Sequence, residues 1–406
     1  MTATGWTQRR LGDVATMGSG GTPSRAVPRY FGGGIPWVSI SDMTTSGKYV
    51  TATATTLTEE GLGASAARLY DPGVVLYAMY ASLGEVCLSV GRVSSSQAIL
   101  GIRAGGELDP EFLYYYLESI KPLVKKMGQQ GTQANLNAGI VRNFQLKLPG
   151  LPEQRRIAGA LADADDLISM ARRLVAKKRA VRRGLMQELL TGRRRLPGFT
   201  APWADTEVGR LLEFKNGLNK GSEYFGSGTP IVNFMDVMSG PIVTAGDVAG
   251  RVTLTREEIK RFSAKKGDLF FTRTSETVDE VGTAAVLVED IRDACFSGFI
   301  LRGRPKSQDV DSRFLARAFQ LETVRAQVTS AATYTTRALT NGRSLSKVVM
   351  TLPHLDEQCA ISAVLDDADA ELDALVFRLN KAAAIKAGMM QQLLAGRVRL
   401  PMEATA

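Results

Sequence analysis

The sequence predicts a mixed α/β protein built twice: two α/β domains in tandem, each followed by a long α-helix, with the helices packed as an antiparallel coiled coil about a pseudo-twofold axis. Three observations predict it. Residues 148–197 align without a gap to residues 352–401, with about 22 identities in 50 positions. In both copies apolar or small residues recur at steps of three and four, as a helical seam requires. The stretches between hold short β-like runs bounded by glycine-rich turns.

Taken in chain order, residues 1–147 form the first unit. It opens on "WTQRRLGDV" at Trp6, carries the β-like run "GVVLYAMY" (73–80), and ends in one helix, "PEFLYYYLESIKPLVKKM". Residues 148–199 are the central helical spacer. The second unit, 200–351, opens on the echo "WADTEVGRL" at Trp203. It continues through "GDLFFTRT" (267–274) and "GTAAVLV" (282–288) to its own helix, "SRFLARAFQLETVRAQV". Residues 352–401 repeat the spacer, and 402–406 are a tail. A period of about 200 residues is too long for a solenoid and suits duplicated domains.

Each spacer reads as one helix of about 39 residues, hence roughly 58 Å long. The first seam runs through Ile157, Leu161, Ala164, Ile168, Ala171, Val175, Val181, Leu185 and Leu189. The second runs through Ile361, Leu365, Ala368, Leu372, Leu375, Leu379, Ile385, Met389 and Leu393. Pro152 suits a helix start; Gly192 and Gly396, each followed by proline five residues later, suit an end. Neither helix buries its seam alone, so the two are expected to pack on each other.

Charge chooses the direction of that packing. The first helix is acidic early (Asp163, Asp165, Asp166) and basic late (Lys177, Lys178, Arg179, Arg182, Arg183). The second is acidic early (Asp366, Asp367, Asp369, Glu371, Asp373), with Lys381 and Lys386 later. Parallel pairing would set acid on acid, whereas antiparallel pairing sets each acidic head beside the other helix's bases. An exposed ion pair contributes under about 1 kcal/mol, so the pattern selects orientation more than it stabilises. Gly184 and Gly388 lie mid-helix, where glycine is costly. In the antiparallel register they would meet Ala363 and Gly159, which predicts close backbone approach.

The formal net charge is +9, and most of the excess lies in 153–199, where twelve Lys or Arg face five Asp or Glu. A basic chain attracts polyanions, but antiparallel pairing would neutralise much of that stretch internally. Cys87, Cys295 and Cys359 show no paired spacing, and His354 is the only histidine. A zinc finger, a zinc deaminase site and a histidine-based triad are therefore not expected. No apolar run approaches the roughly 20 residues of a membrane span. "MTATGWTQRRLGD" also lacks the apolar core of a signal peptide, so a cytoplasmic location is expected. There is no Asn/Asp-Pro-Pro-aromatic motif, no G-x-x-x-x-G-K-[ST] loop and no nuclease cluster. Gly18, Gly20 and Gly21 read as a turn, not a dinucleotide fingerprint.

Five segments carry a family resemblance: "LPGLPEQRRIAGALADAD", "LPHLDEQCAISAVLDDAD", "GSGGTPSR", "GGGIPWVSISDM" and "KKGDLFFTRTSETVDEVG". Through them the chain resembles the specificity subunit of type I restriction–modification enzymes along essentially its whole length. The resemblance implies two target-recognition domains, each reading one half of a split double-stranded DNA site. It implies helices that separate the domains and dock two methyltransferase subunits, with restriction subunits joining the full complex. It also implies that this chain is not catalytic and binds no cofactor, S-adenosylmethionine, ATP and Mg belonging to partner subunits. An alternative from another class is a coiled-coil adaptor whose α/β units bind protein, without salt-dependent duplex affinity.

Reading a base requires polar side chains on loops at equivalent places in both units. Aligning Gly73 with Gly267 sets "AMYASL" (78–83) opposite "TRTSETVDEV" (272–281), a shared strand followed by a divergent loop. Arg273, Thr274, Ser275 and Glu276 are candidates there, with Tyr80 and Ser82 in the first unit. A second place precedes each long helix, where Thr132 and Gln133 align with Thr336 and Arg337. Glutamine suits adenine and arginine suits guanine, while Gln130, Asn135, Tyr334 and Arg343 suit phosphate or sugar. The third place is the loop "TPSRAVPRYFGG", with Arg25, Arg29 and Tyr30, matched by Lys220 and Tyr224 in the second unit. Trp37 follows Pro36 into an apolar run and is expected in the core.

Overall fold

A computed structural model describes residues 5–130, 136–334 and 337–401. The chain divides into two compact units, Met1–Arg173 with Phe377–Ala406, and Leu174–Val376. Both divisions fall inside the long helices, Leu151–Leu190 and Leu355–Leu393.

In the first unit a five-stranded sheet has the order Ala15–Ser19, Ile99–Ala104, Val75–Ala78, Val86–Ser89, Tyr49–Val50. All its neighbours are antiparallel except the last pair. Val75–Ala78 is buried along its whole length because alternate residues feed opposite faces. Val75 and Tyr77 join the core beneath the helix Pro110–Gln130, while Leu76 and Ala78 join a second core with Val38, Met43 and Ile99. A four-stranded sheet, Thr55–Leu57, Phe31–Val38, Val93–Ser95 and Leu69–Tyr70, lies alongside. Trp37 is buried there and donates to the Gly21 carbonyl at 3.0 Å.

The second unit repeats this topology. Its five-stranded sheet runs Leu212–Asn216, Ile300–Pro305, Leu269–Thr272, Ala284–Leu287, Ile242–Val243, position for position as in the first. Leu269 and Phe271 feed one core and Phe270 the other. The helix differs. Sequence predicts one helix in each unit, but here it breaks into Ser312–Ala318 and Glu322–Ser330. The aligned pairs explain why: buried Phe112 matches Phe314, whereas buried Val124 matches Val328, so the second unit has two extra residues between them. Two residues rotate a helix by roughly 200° and would turn its apolar face to solvent. Breaking at Phe319–Leu321 returns Val324 and Val328 to the core.

Each unit contains an antiparallel helix pair. In the first, Ile157 and Leu161 share a core with Met390 and Leu393, and Lys386 Nζ meets Asp165 Oδ1 at 2.6 Å. In the second, Leu189 and Leu190 share a core with Ile361 and Leu365. There Lys178 Nζ meets Glu371 Oε1 at 2.6 Å, and Arg182 bonds Asp369. The direction read from charge is the observed one. Ile157, Leu161, Ile168, Val175, Leu189, Ile361, Leu365 and Leu393 are buried; Leu185, Leu372, Leu379 and Met389 are half-buried.

Two expectations about the helices are corrected. Val181 and Ile385 are exposed, because the seam steps from Val175 and Leu379 onto Arg182 and Lys386, the half-buried residues that carry the ion pairs. Gly184, Gly388 and Gly159 are exposed, and a Cβ at any of them would meet nothing within 4 Å. They mark no close backbone approach.

Candidate nucleic-acid interface

The first two predicted places become one site in the second unit. The strand Leu269–Thr272 runs past Arg273 into Thr274–Ser275, which leaves the five-stranded sheet and pairs with Ala338–Leu339. Ala338–Leu339 also pairs with Thr333–Tyr334, making a small three-stranded ribbon. The amide of Thr340 donates to the Arg273 carbonyl at 2.9 Å and anchors its base. At its tip Arg337 Nη2 lies 3.9 Å from Glu276 Oε1, with side chains 59% and 86% exposed. Tyr334 is exposed beside them. A guanidinium, a carboxylate and a phenol are thus exposed on one ribbon, a set of hydrogen-bond donors and acceptors open to solvent.

The same ribbon corrects Ser275. It is 7% exposed, and its hydroxyl bonds Glu280, so it props the loop instead of facing outward. Arg273 and Thr274 are half-buried.

In the first unit the corresponding junction is present. The amide of Leu136 donates to the Met79 carbonyl at 3.0 Å, so Leu136 lies against the residue that precedes Tyr80. Tyr80 is exposed, and Ser82 is half-buried in a tight turn where its carbonyl accepts from Glu85. Gln130 ends the helix Pro110–Gln130. Thr132, Gln133, Asn135 and Thr336 lie outside the described residues.

The third place abuts the first two. In the second unit Leu218 pairs with Ser297, and Arg273 donates to the Phe299 carbonyl at 3.0 Å. In the first unit Gly21 donates to Ser95, and Met79 to Ala98. Its side chains have different fates. Lys220 Nζ is held by both oxygens of Glu258 (2.9 and 2.8 Å) and lies 4.5 Å from the centre of the Tyr224 ring. That ammonium holds the Glu258 carboxyl below its ordinary range. Glu258 in turn closes the capping box of the helix Arg256–Arg261, so Lys220 is a clip within the fold. Arg29 pairs with Glu60 at 2.8 Å on the surface, next to half-buried Tyr30, and Arg25 is exposed. Tyr224 is exposed. Arg343 lies apart from the ribbon, in a groove with Lys215, Asn216 and Lys306. Lys215 is pushed below its ordinary range by burial and by Arg302 and Arg261, as expected where cations crowd.

Sequence reasoning missed Phe299, an exposed ring beside Arg273. Its signal was "FSGFI", a glycine turn carrying an aromatic where the first unit has Ala98. Among the described residues no cluster of His, Cys, Asp and Glu fit to hold a metal is present, and no helix is long and apolar enough to cross a membrane.

Comparison with known proteins gives a consistent result. Residues 3–177 match the type I restriction modification DNA specificity domain. The specificity subunit of the type I restriction enzyme MjaIX from Methanocaldococcus jannaschii is 20% identical over 293 residues, covering 68% of this chain and 67% of that one. A crystal structure of a type I restriction–modification S subunit from M. genitalium superposes with a TM-score of 0.59 at 14% identity, over 97% of both chains. A structure concerned with complex assembly and conformational transition of the type I R-M system gives 0.62 at 20% identity, over 97% of this chain and 98% of that one.

Proposed function

We propose that the chain is a specificity subunit of a type I restriction–modification system and that its two units read the two halves of a bipartite DNA target, a reading supported by the match of residues 3–177 to the specificity domain and by the likeness to curated specificity subunits. The chain is the non-catalytic DNA-specificity member of such a system. On this reading the long helices set the gap between the half-sites and dock two methyltransferase subunits, with restriction subunits in the full complex. S-adenosylmethionine, ATP and Mg would act on those partners.

The observation that carries the reading is the ribbon of the second unit, where Arg337, Glu276 and Tyr334 are exposed together. The first unit supports it by rebuilding the same junction between Met79 and Leu136. A common scaffold with unlike loops is what two readers of unlike sequences require. Exposed apolar residues on the first long helix, Leu167 and Met170, suit a protein partner.

The test is to map methylated adenines in cells that carry this chain with its cognate methyltransferase. Two short blocks separated by a fixed gap are expected. Methylation at a single uninterrupted block, or without sequence preference, would sink the bipartite reading.

A further inference from the structure

Phe299 stands at the tip of a turn in the second unit and is 61% exposed. The turn is held on three sides. Ile300 donates to the Ser297 carbonyl at 3.1 Å, Gly298 to Leu218 at 2.6 Å, and Arg273 to Phe299 itself at 3.0 Å. A Cβ on Gly298 would lie 2.8 Å from the Leu218 carbonyl oxygen, so the backbone there is closely packed. A ring presented this way loses little conformational freedom on binding.

The internal repeat supplies a comparison. The first unit builds the same turn, Met79 donating to Ala98 at 2.9 Å and Ile99 to Ser96 at 3.1 Å, and carries only a methyl group at its tip. Folding therefore does not require the ring at position 299. The Phe299 backbone bonds Arg273, the residue from which the ribbon of Glu276, Tyr334 and Arg337 departs. A benzyl group offers no hydrogen bond to a base edge. The apolar feature that the major groove presents is the thymine C5-methyl, which separates T·A from every other pair.

We propose that Phe299 reads a thymine C5-methyl group in the half-site of the second unit. The inference rests on the reading of this chain as a bipartite DNA-specificity subunit.

The assembled complex of this chain with its methyltransferase is titrated with target duplexes in which each thymine is replaced, one at a time, by deoxyuridine. One replacement in the second half-site is expected to weaken wild-type binding roughly fourfold, as burial of one methyl implies. The Phe299→Ala complex binds the thymine duplex more weakly by at least that factor and is indifferent to the same replacement; Phe299→Leu keeps part of the effect. Replacements in the first half-site affect all three complexes alike. A flat scan on wild type, or full sensitivity retained in Phe299→Ala, overturns the role of Phe299. Failure of the wild-type complex to select a split site overturns instead the reading on which it rests.

Discussion

Glu357 grips Arg195 through two hydrogen bonds, Nε to Oε1 at 2.6 Å and Nη2 to Oε2 at 2.7 Å, tying the head of the second long helix to the segment that follows the first. Trp203 Nε1 adds a third at 3.2 Å. The first unit repeats the arrangement with exchanged partners: Glu153 takes Arg399 Nε and Trp6 Nε1, each at 3.3 Å. Next to each glutamate, Gln154 and Gln358 accept from the amides of Asp109 and Asp311, the residues that cap the first turn of each unit's helix. Each copy of the repeated segment thus needs the tail of the other copy. That reciprocity is a physical reason for the chain to write the segment twice.

The two clasps are not equally buried. The Glu357 side chain is 3% exposed, against 17% for Glu153. An ion pair shielded from water contributes more than one open to it. Glu357→Ala is therefore expected to strip hydrogen-exchange protection from the second unit, while Glu153→Ala leaves the first much less affected. Equal losses would mean that burial does not set the strength of the clasp.

Asp165 and Asp369 occupy matching positions and hold different partners. Asp165 accepts from the Tyr115 hydroxyl at 2.8 Å and pairs with Lys386. Asp369 pairs with Arg182 and, at 2.8 Å, with Arg317, which is 1% exposed and also reaches Asp366 at 2.6 Å. Asp369→Asn leaves a buried guanidinium short of charge and is expected to cost about 3 kcal/mol. Asp165→Asn keeps an acceptor for a neutral hydroxyl and is expected to cost about 1 kcal/mol. Urea unfolding of the two variants beside wild type measures the difference, and the reverse order would contradict it.

Acid should loosen the second unit through Asp311. Burial raises its pKa, but the Arg313 guanidinium and the amides of Phe314 and Arg313 outweigh it, and the net shift is downward. A depressed carboxyl stabilises the fold fully above its unfolded value, about 3.9, and loses that contribution as pH falls through the folded value. Wild-type stability is expected to fall on acidification below about pH 4 more steeply than that of Asp311→Asn, which lacks the titrating group. Parallel slopes in urea unfolding would exclude Asp311 as a source.

Much of this architecture was legible because its cues are periodic. The seam steps of three and four placed Ile157, Leu161, Ile361 and Leu365 correctly, and the charge order predicted each acidic head beside the other helix's bases, where Lys178 meets Glu371 and Asp165 meets Lys386. Periodicity failed at Val181 and Ile385 because paired arginine and lysine held the seam positions instead. The clasp of Glu357 on Arg195 joins residues 162 positions apart, which no local pattern reveals. Composition marks polar loops as candidate readers but not which way each side chain points, so it groups Ser275, which faces Glu280, with exposed Glu276.

Arg337 separates base reading from phosphate binding. If it bonds a guanine, Arg337→Ala in the assembled complex is expected to cost about 1–3 kcal/mol at one base pair of one half-site and to relax selection there. Uniform weakening on every sequence, with a shallower salt dependence, would make it a phosphate contact.

The spacer tests the role of the helices. Four residues inserted after Arg173 and four after Val376 fall at the division between the compact units, so the pairs Asp165–Lys386 and Arg182–Asp369 stay inside their own units. Four helical residues add roughly 6 Å and a rotation of about 400°, close enough to one full turn to keep the seam facing inward. At about 3.4 Å per base pair, the gap between methylated half-sites is expected to lengthen by one or two base pairs with both half-sites unchanged. A gap of the original length, read from methylated adenines in cells carrying the lengthened chain, would remove the helices as the measure of the spacer.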